Sequence, residues 1–449
     1  MKKKSSSLAL VMGMGVMLFA VSAAGQLTQN IKFASTPNPV GSGGRAVAWG
    51  GAFIAVADDA TAASWNPAGL IQLEKPEASV ALSYLHRTEA IRFQKFEAAV
   101  QNEVASHGNL NYASVVFPFH LKSLNLVVSG NYQRLYEFDR KMDFTLTGTQ
   151  LLAVGKEDFV EHARFEQVGA LTTLTPAFAV QITPKISLGG SFNFWGQDPS
   201  GDGWTQQTQS RGVGTIQALG ATVFHRGESR EDYQFHGWNW QAGLLVKPGH
   251  FSIGAVYKAG FDADIDYREE ITTSQFSPTD PFLTLTPFRL KRHEHETIAW
   301  PASYGLGVAY RFSDAFSVAV DGYRTEWSNF ILTDEKGHRF NLIAGRVGGA
   351  KIPDTTQVRA GMEYLIIQPK VVVALRGGAF YDPEPREDQP VNFYGLSLGT
   401  GFGIGHFVAD IAYQYRFGFD VPQEKALGDE AKADVADRFV LASLIYHFK

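Results

Sequence analysis

The sequence predicts an all-β membrane protein, a 14-stranded antiparallel transmembrane β-barrel whose lumen holds an N-terminal hatch, or plug. Three observations predict this fold. Apolar residues alternate with polar or small residues from about residue 77 to the C-terminus. Short turns alternate with long polar segments between the alternating stretches, and the N-terminal residues have the form of a secretory signal.

The secretory signal is predicted to cover residues 1–24. Lysines at positions 2–4 precede an apolar stretch at 8–21, and small residues at 22–24 suit a signal peptidase that cleaves near 23–25. An uncleaved anchor is the alternative, but the stretch is short and no basic flank follows it. Because the chain has no cysteine, a lipoprotein signal, disulfides and thiolate metal sites are excluded.

The strands are predicted from a period of two in side-chain character. Successive side chains of a strand point to opposite faces, so a membrane strand has one apolar face. Residues 407–419 carry apolar side chains at odd positions and mostly small or polar ones at even positions. Residues 304–312, 358–364 and 440–448 repeat the pattern, so these segments are predicted to be strands of one large sheet.

The connections predict the number of strands. Six short turns lie near residues 118–123, 183–185, 247–250, 313–315, 368–370 and 403–406. Seven longer polar segments alternate with them, near residues 90–108, 138–160, 199–230, 270–288, 330–353, 382–392 and 420–436. Thirteen connections join fourteen strands, an even number that suits a closed membrane barrel, whereas a soluble double sandwich has no reason to sort its loops by length.

Residues 25–76 depart from this pattern, so the predicted domains are the signal (1–24), a hatch (25–76) and the barrel (77–449). Glycines near positions 41–51 let backbone pass close to other backbone. An aspartate at 58 or 59 can cap a short Ala-rich turn of helix, which Asn66-Pro67 ends. Such a compact segment has the right size to fill a barrel lumen.

Three pieces of the chain resemble the FadL/TodX family of outer-membrane transporters: residues 41–70 with their Asn66-Pro67-Ala68 motif, residues 300–327, and residues 352–383. With the strand count, the resemblance spans essentially the whole mature chain. One departure is Lys449, because barrels of this family usually end on an aromatic residue. Phe448 keeps its place on the apolar face, so the assembly signal is expected to be intact.

The resemblance implies passive uptake of hydrophobic molecules, either long-chain fatty acids or aromatic hydrocarbons. It implies capture on an extracellular apolar patch, a lumen pocket, a shift of the hatch, and exit through the wall beside a kinked third strand. The implied location is the bacterial outer membrane, with both termini in the periplasm. The implied protein is a monomer. Its implied partners are the substrate, membrane lipid, lipopolysaccharide and the barrel assembly machinery. Related barrels that serve protein secretion as docking accessories are the alternative.

Other functions are not predicted. A net charge of −5 gives no electrostatic footprint for nucleic acid, and neither an enzyme, a nucleophile elbow nor a cofactor is expected. His293 and His295 share one strand face, but a solvated rim is favoured there over a metal site. Alternating glycines at 399–405 leave one strand face bare, which is expected to let the hatch approach.

The inner face of the last strand favours apolar cargo. Phe439, Leu441 and Ile445 alternate there with the outward set, and Ser443 and His447 are its polar members. This lining is too apolar for a salt-filled pore, so the lumen is predicted to bind hydrophobic molecules.

Two long connections carry the residues of a predicted extracellular capture patch. In residues 199–230 the apolar spacing suggests one face of a helix, and in residues 270–288 apolar residues cluster. Exposed apolar groups in such number mark a binding surface, with mutual packing of the loops as the alternative. The predicted patch contains Ile216, Leu219, Phe224, Phe276, Phe282, Leu285 and Phe288.

Gly130 is the candidate for the lateral opening. It lies within the predicted third strand, residues 124–138. Glycine permits a kink, and a barrel wall opens only where its ladder is interrupted. Asn66-Pro67-Ala68 is predicted to lie beside Gly130; a glycine that only makes room for the hatch is the alternative.

Arg359, Arg376 and Asp321 form the predicted polar cluster of the lumen. Counted from the turn near residue 368, the arginines lie nine and eight residues away, so they are expected to be cross-strand or diagonal neighbours. Asp321 or Glu363 would offset their charge. One guanidinium could then hold a fatty-acid carboxylate, and a purely structural ladder of charges is the alternative.

Overall fold

The computed structural model describes residues 41–92, 101–152, 155–196, 203–343, 346–347, 352–422 and 431–449. The predicted signal (1–24) and residues 25–40 of the predicted hatch lie outside the described residues. Within them, 21 strands, numbered along the chain, form one antiparallel sheet.

Fourteen of these strands close into a ring, in which the last strand is hydrogen-bonded to the first. Closure leaves no unpaired edge, the condition for a sheet in lipid, and the predicted 14-stranded barrel is confirmed. The ring strands are β1 (Glu77–Arg92), β2 (Gln101–Leu121), β3 (Leu124–Glu137), β5 (Gly155–Thr183), β6 (Ile186–Trp195), β8 (Ala221–Val246), β9 (Phe251–Lys258), β12 (Ser303–Arg311), β13 (Phe316–Thr325), β17 (Thr355–Ile367), β18 (Val372–Tyr381), β19 (Tyr394–Ile404), β20 (Phe407–Pro422) and β21 (Lys432–His447).

Seven other strands extend the wall on the side of the long connections, and we call that end of the barrel the long-loop side. They pair with the upper parts of β5 and β8 and with one another. They are β4 (Arg140–Leu152), β7 (Gly203–Ile216), β10 (Phe261–Phe276), β11 (Leu285–Trp300), β14 (Ile331–Thr333), β15 (Arg339–Asn341) and β16 (Arg346–Val347).

The expectation of polar loops at 138–160, 199–230 and 270–288 is therefore wrong, because these segments are largely strands. The predicted helix face in 199–230 is wrong as well, since β7 and β8 form a hairpin through the turn at 217–220. β7 has no continuous apolar face and therefore shows no strong period of two. β10 does alternate, with apolar residues at Phe261, Ala263, Ile265 and Tyr267, so its sequence contains a strand signal that leads into the segment expected to be a loop.

Helices in the described residues are short. They are α1 (Gly44–Ala48), α2 (Ala62–Trp65) and three 3₁₀ helices, Pro67–Gln72, Pro281–Leu283 and Trp327–Asn329. None of these is both long and apolar enough to cross a membrane.

Residues 41–76, which we call the hatch segment, lie inside the ring. A side chain at Gly189, Gly254 or Gly378 would come within 3.0 Å of hatch-segment backbone, and one at Gly399 would meet Ala48 of α1. These glycines lie on β6, β9, β18 and β19. At these positions the inner wall has no side chain, so the hatch segment contacts the strand backbone at several places around the ring. The segment itself has a dense apolar interior of fully buried side chains: Trp49, Phe53, Ile54, Trp65 and Leu70.

The outward side chains of the ring form an apolar surface. Examples are Val115, Phe117, Leu306, Val308, Met362, Leu396 and Leu398, all exposed. Tyr257 and Tyr304 are also exposed, at the long-loop ends of β9 and β12, and exposed Trp240 of β8 lies beside Tyr257 with ring centroids 5.4 Å apart. An apolar band with aromatic residues at its margin is the surface that a barrel presents to lipid.

Candidate functional site

A cavity of about 60 Å³, the luminal cavity, lies between the hatch segment and a group of aromatic side chains. Ser64 of α2 lines it on the hatch side. Ring strands contribute most of the polar lining, including Gln133, Asn193, Asn239, Gln241, Lys258 and Tyr323. The cavity is therefore bounded by the hatch segment below, polar wall residues around it, and aromatic rings above.

The polar lining consists mainly of amide and hydroxyl side chains, which both donate and accept hydrogen bonds, together with one lysine. Lys258 is the one charged lining residue, and no carboxylate lines the cavity among the described residues. The amide nitrogen of Gln241 and the hydroxyl of Tyr323 are buried, and neither has a hydrogen-bond partner in the described part of the chain. Because a buried unmade hydrogen bond costs about 1–3 kcal/mol, a ligand with acceptor oxygens would stabilise this lining.

Five buried rings, which we call the aromatic cluster, close the cavity on the long-loop side: Tyr136, Trp195, Phe235, Trp300 and Phe330. Trp300 is central, with ring centroids 4.9 Å from Tyr136, 5.3 Å from Phe235 and 5.1 Å from Phe330. Its indole nitrogen donates to the Tyr136 hydroxyl at 3.1 Å. The cluster offers a large apolar surface directly next to the polar cavity.

The volume of the cavity limits what it can hold. An apolar cavity of about 150 Å³ accepts benzene, so about 60 Å³ accommodates a small polar group but not a ring or a long chain. A larger ligand with its polar end in the cavity would have to displace rings of the aromatic cluster.

The lumen is more polar than the last strand predicts. Asn193 donates to Asn239 at 3.0 Å and accepts from Thr175 at 2.9 Å, and all three side chains are buried. The prediction of an apolar lumen holds for Leu441 and Ile445 of β21, which are buried. It fails for β5, β6 and β8, because one strand was taken to represent the whole lining.

Arg359 and Arg376 both lie in the lumen, but they are not neighbours. Arg376 is the register partner of Glu363, and Arg359 is the partner of Phe380. The β17–β18 turn is centred beyond Gln368, which shifts the register, so the expected contact between the arginines is wrong. Two oxygens hold Arg376: Glu363 Oε2 and Asp410 Oδ1, each at 2.6 Å.

Arg359 and Asp321 are brought together as register partners on β17 and β13. Both contact the hatch segment: Arg359 donates to the Gly50 carbonyl at 3.1 Å, and Asp321 accepts from the Ile54 amide at 2.8 Å. These contacts, like those of Arg376, favour the structural alternative over a fatty-acid head-group site at the arginines.

The Asn66-Pro67-Ala68 motif fixes the hatch segment to the wall. The Asn66 amide donates to the carbonyls of Ile54 at 2.9 Å and Leu244 at 3.0 Å, and its oxygen accepts from the Ala68 amide at 3.1 Å. Ser187 of β6 donates to the Ala68 carbonyl at 3.2 Å. The asparagine caps the 3₁₀ helix and ties it to β8, while Ala68 is tied to β6.

Gly130 does not mark an interruption of the wall. It pairs with Val115 on β2 and with Pro176 on β5, and both ladders continue on either side. Gly130 faces outward, and a Cβ added there would have no heavy atom within 4 Å. The prediction of a lateral opening at Gly130 is therefore wrong for this structure, and the motif lies against β6 and β8 instead.

The hydrogen-bond ladder of the wall, though not its register, is interrupted one strand further on. The β5–β6 ladder runs from Leu174–Phe194 directly to Ala177–Ser191, without the two pairs between them. Pro176 lies in this gap and has no amide hydrogen to donate. Asn193, which lines the luminal cavity, lies in the same gap.

The predicted capture patch is only partly exposed. Ile216 is fully buried in a small core with Ala221, Val223 and Leu283, and Leu285 is half-buried. The remaining predicted residues are exposed near the tips of the long hairpins: Leu219, Phe224, Phe276, Phe282 and Phe288. An apolar surface therefore exists there without Ile216.

One Gly-x-Ser-x-Gly spacing is present, at residues 395–399, although no nucleophile elbow is predicted. It lies within β19, in the first half of the strand, and Ser397 donates to the Ala48 carbonyl at 3.2 Å. An elbow requires a sharp turn from a strand into a helix, so the spacing has no catalytic geometry here.

Glu296 of β11 gives the long-loop side a pH-dependent stability. Burial, together with nearby Glu294 and Asp334, raises the pKa of Glu296 to about 7. Since the unfolded carboxyl titrates near pH 4.3, the folded chain holds the proton between about pH 4.3 and 7, and stability falls as the pH rises through this range.

We expect faster amide exchange in β10–β11 at pH 7.5 than at pH 5.5, after correction for intrinsic rates. Glu296→Gln should remove the difference; an equal pH effect in the variant would contradict this assignment.

Residues 23–425 match the family described as outer membrane protein transport protein (OMPP1/FadL/TodX). The chain belongs to this family. The predicted class, an outer-membrane transport protein rather than an enzyme, is thereby confirmed. No curated protein sequence matches the chain significantly.

Solved structures agree with the fold of this FadL/TodX family member. A Pseudomonas aeruginosa FadL homologue is 16% identical, with 93% of this chain and 99% of that chain covered and a TM-score of 0.56. The P. putida toluene transporter TodX is 13% identical, with 92% and 99% covered and a TM-score of 0.56. The Ralstonia pickettii toluene transporter TbuX is 14% identical, with 92% and 100% covered and a TM-score of 0.53. At these identities the likeness concerns the fold.

Proposed function

We propose that the protein carries hydrophobic molecules with an anionic oxygen head group, the class of long-chain fatty acids, inward across the outer membrane. The observation that carries the proposal is the luminal cavity, which is lined by Lys258 and by two buried groups, the Gln241 amide and the Tyr323 hydroxyl, that have no hydrogen-bond partner in the described residues. Membership of an outer-membrane transport family supports the transport role. A fatty-acid carboxylate suits the cavity in charge and size, and its chain suits the aromatic cluster.

Entry is proposed at the long-loop side, which we assign to the cell exterior, with both termini in the periplasm. Phe224 and Phe276 stack there with ring centroids 6.5 Å apart, and Phe282 is 73% exposed. Together with Leu219 and Phe288 they offer an apolar surface on which a hydrophobic molecule would land. That the protein contacts lipopolysaccharide, is inserted by the barrel assembly machinery and is a monomer stays a prediction.

Exit is proposed through the wall between β5 and β6. The missing ladder pairs at Pro176 adjoin Asn193 of the luminal cavity, so the interruption and the cavity are contiguous. Ala68 of the hatch segment is bonded to β6 at Ser187. Movement of this part of the hatch segment would widen the gap, because the same strand borders both.

Lys258→Met tests the head-group assignment. A hydrogen bond to a charged group contributes about 1.5–3 kcal/mol, so the variant should bind a long-chain fatty acid about 10- to 100-fold more weakly. Toluene, which has no head group, should bind the variant and the parent equally. Binding to detergent-purified protein is measured with both ligands, and Lys258→Arg, which keeps the charge, is the control.

Two outcomes would contradict the proposal. If Lys258→Met lowers the affinities for the acid and for toluene equally, Lys258 affects binding by maintaining the structure of the lumen and not by contacting a head group. Unchanged binding of the acid would place its head group elsewhere. If the parent protein binds neither ligand, the docking accessory becomes the favoured function.

A further inference from the structure

His293 and His295 of β11 lie close to a third possible ligand, a carboxylate, that the sequence pattern alone does not supply. Asp266 of β10 is the register partner of His295, and this pairing brings its carboxylate between the two imidazoles. The His293 Nε2 lies 3.0 Å from Asp266 Oδ1, and the His295 Nδ1 lies 3.9 Å from Asp266 Oδ2. All three donor atoms lie within 4.8 Å of one another.

We propose that these three residues bind a divalent transition-metal ion of the zinc and copper class. Two imidazoles and a carboxylate are ligands that such ions accept, and the set contains no thiolate that would restrict the choice further. Tetrahedral coordination with bonds of about 2.0–2.1 Å places donor atoms about 3.3 Å apart. His293 and His295 are 53% and 72% exposed, so rotation of their side chains can close the remaining distance without moving the strands.

The backbone of the site is held in place before any metal binds. β10 and β11 pair continuously from Phe261–Trp300 to Thr273–Phe288, and the site lies inside that ladder. The amide of His295 also donates to Glu335 Oε1 at 2.7 Å. Three protein ligands leave at least one coordination position, which water or an external donor atom would fill.

Arg268 is the competitor for this site. Its Nε lies 3.2 Å from Asp266 Oδ1, the oxygen that also faces His293. A bound cation and this guanidinium would repel each other, so the arginine must turn away. Its side chain is 57% exposed and can do so into solvent. Removal of Arg268 should therefore strengthen metal binding, an effect that a simple histidine–aspartate ion pair does not predict.

The experiment is calorimetric titration of tag-free, chelator-treated protein in detergent with ZnCl₂ at pH 7.5, repeated with CuCl₂. We expect one equivalent to bind, with affinity lowered about tenfold or more in His293→Ala and in Asp266→Asn. Arg268→Ala should raise the affinity. His338→Ala is the matched control, because His338 also pairs with one carboxylate, Asp334 at 2.8 Å, but has no second histidine in the pair.

The proposal is overturned if the protein binds no equivalent of either metal. It is also overturned if binding survives both His293→Ala and Asp266→Asn, or if His338→Ala weakens it as much as they do. The proposal does not depend on which cargo the barrel carries, so failure of the fatty-acid assignment would leave it standing.

Discussion

Replacing Gly189 with valine should displace the hatch segment while the barrel still assembles. An added Cβ there would lie within 3.0 Å of the backbone at Pro67 and Ala68, and backbone cannot move aside as a flexible side chain can. Overpacking of this kind costs about 1–3 kcal/mol or more, a cost that movement of the hatch segment would relieve. Valine suits a strand, so the wall itself should form. We expect a rise in ion conductance in planar bilayers and a loss of regulated cargo uptake.

Gly130→Val is the matched control for this experiment. Gly130 is also a strand glycine, but a side chain there points outward and meets nothing within 4 Å. This variant should conduct and transport as the parent does. If Gly189→Val leaves conductance unchanged while the protein folds, the hatch segment does not seal the lumen at β6.

Replacing Arg376 with methionine should cost about 3–5 kcal/mol of stability, because it leaves buried carboxylates without their cation. Asp410 loses its 2.6 Å contact, and its other oxygen has no partner in the described residues. Glu363 loses a contact of the same length but keeps Arg45. The measurement is the urea midpoint in detergent, followed by the heat-dependent gel mobility of the folded barrel.

Arg92→Met provides the comparison for this loss. Arg92 pairs with Asp434 and Asp420, but all three side chains are at least 40% exposed, and exposed pairs contribute about 0–1 kcal/mol. A large loss for Arg376 and a small one for Arg92 would agree with a structural ladder. An unchanged urea midpoint for Arg376→Met, with selective loss of fatty-acid binding, would instead restore Arg376 as the head-group residue.

The ring could be predicted from the sequence because lipid imposes a simple pattern. Strands such as residues 304–312 must be apolar outward and small or polar inward, and a period of two records that demand directly. The extension formed by β4, β7, β10 and β11 could not be recognised in the same way. It extends β5 and β8 beyond the ring, and β7 is polar on most of both faces, whereas β4 and β10 do alternate but lie wholly or partly in segments whose overall polarity favoured a loop.

The site was less predictable, since it depends on register and on residues distant in the chain. Arg359 and Arg376 are both buried, but the β17–β18 turn is centred beyond Gln368, and this shift separates them along the strands. Lys258 could have been found as the cation that ends the inward row of β9 after Gly254 and Val256. Its neighbours Gln241 and Trp300 lie on other strands, and only closure of the barrel brings them together.

The central claim is that the luminal cavity holds the head group of an amphipathic cargo. The most direct test is a crystal structure of the protein grown with a long-chain fatty acid. The account predicts a carboxylate within hydrogen-bonding distance of the Lys258 Nζ and an alkyl chain among Trp195 and Trp300, whose rings have moved apart to admit it. A carboxylate bound at Arg359 or Arg376, with the luminal cavity unchanged, would contradict it.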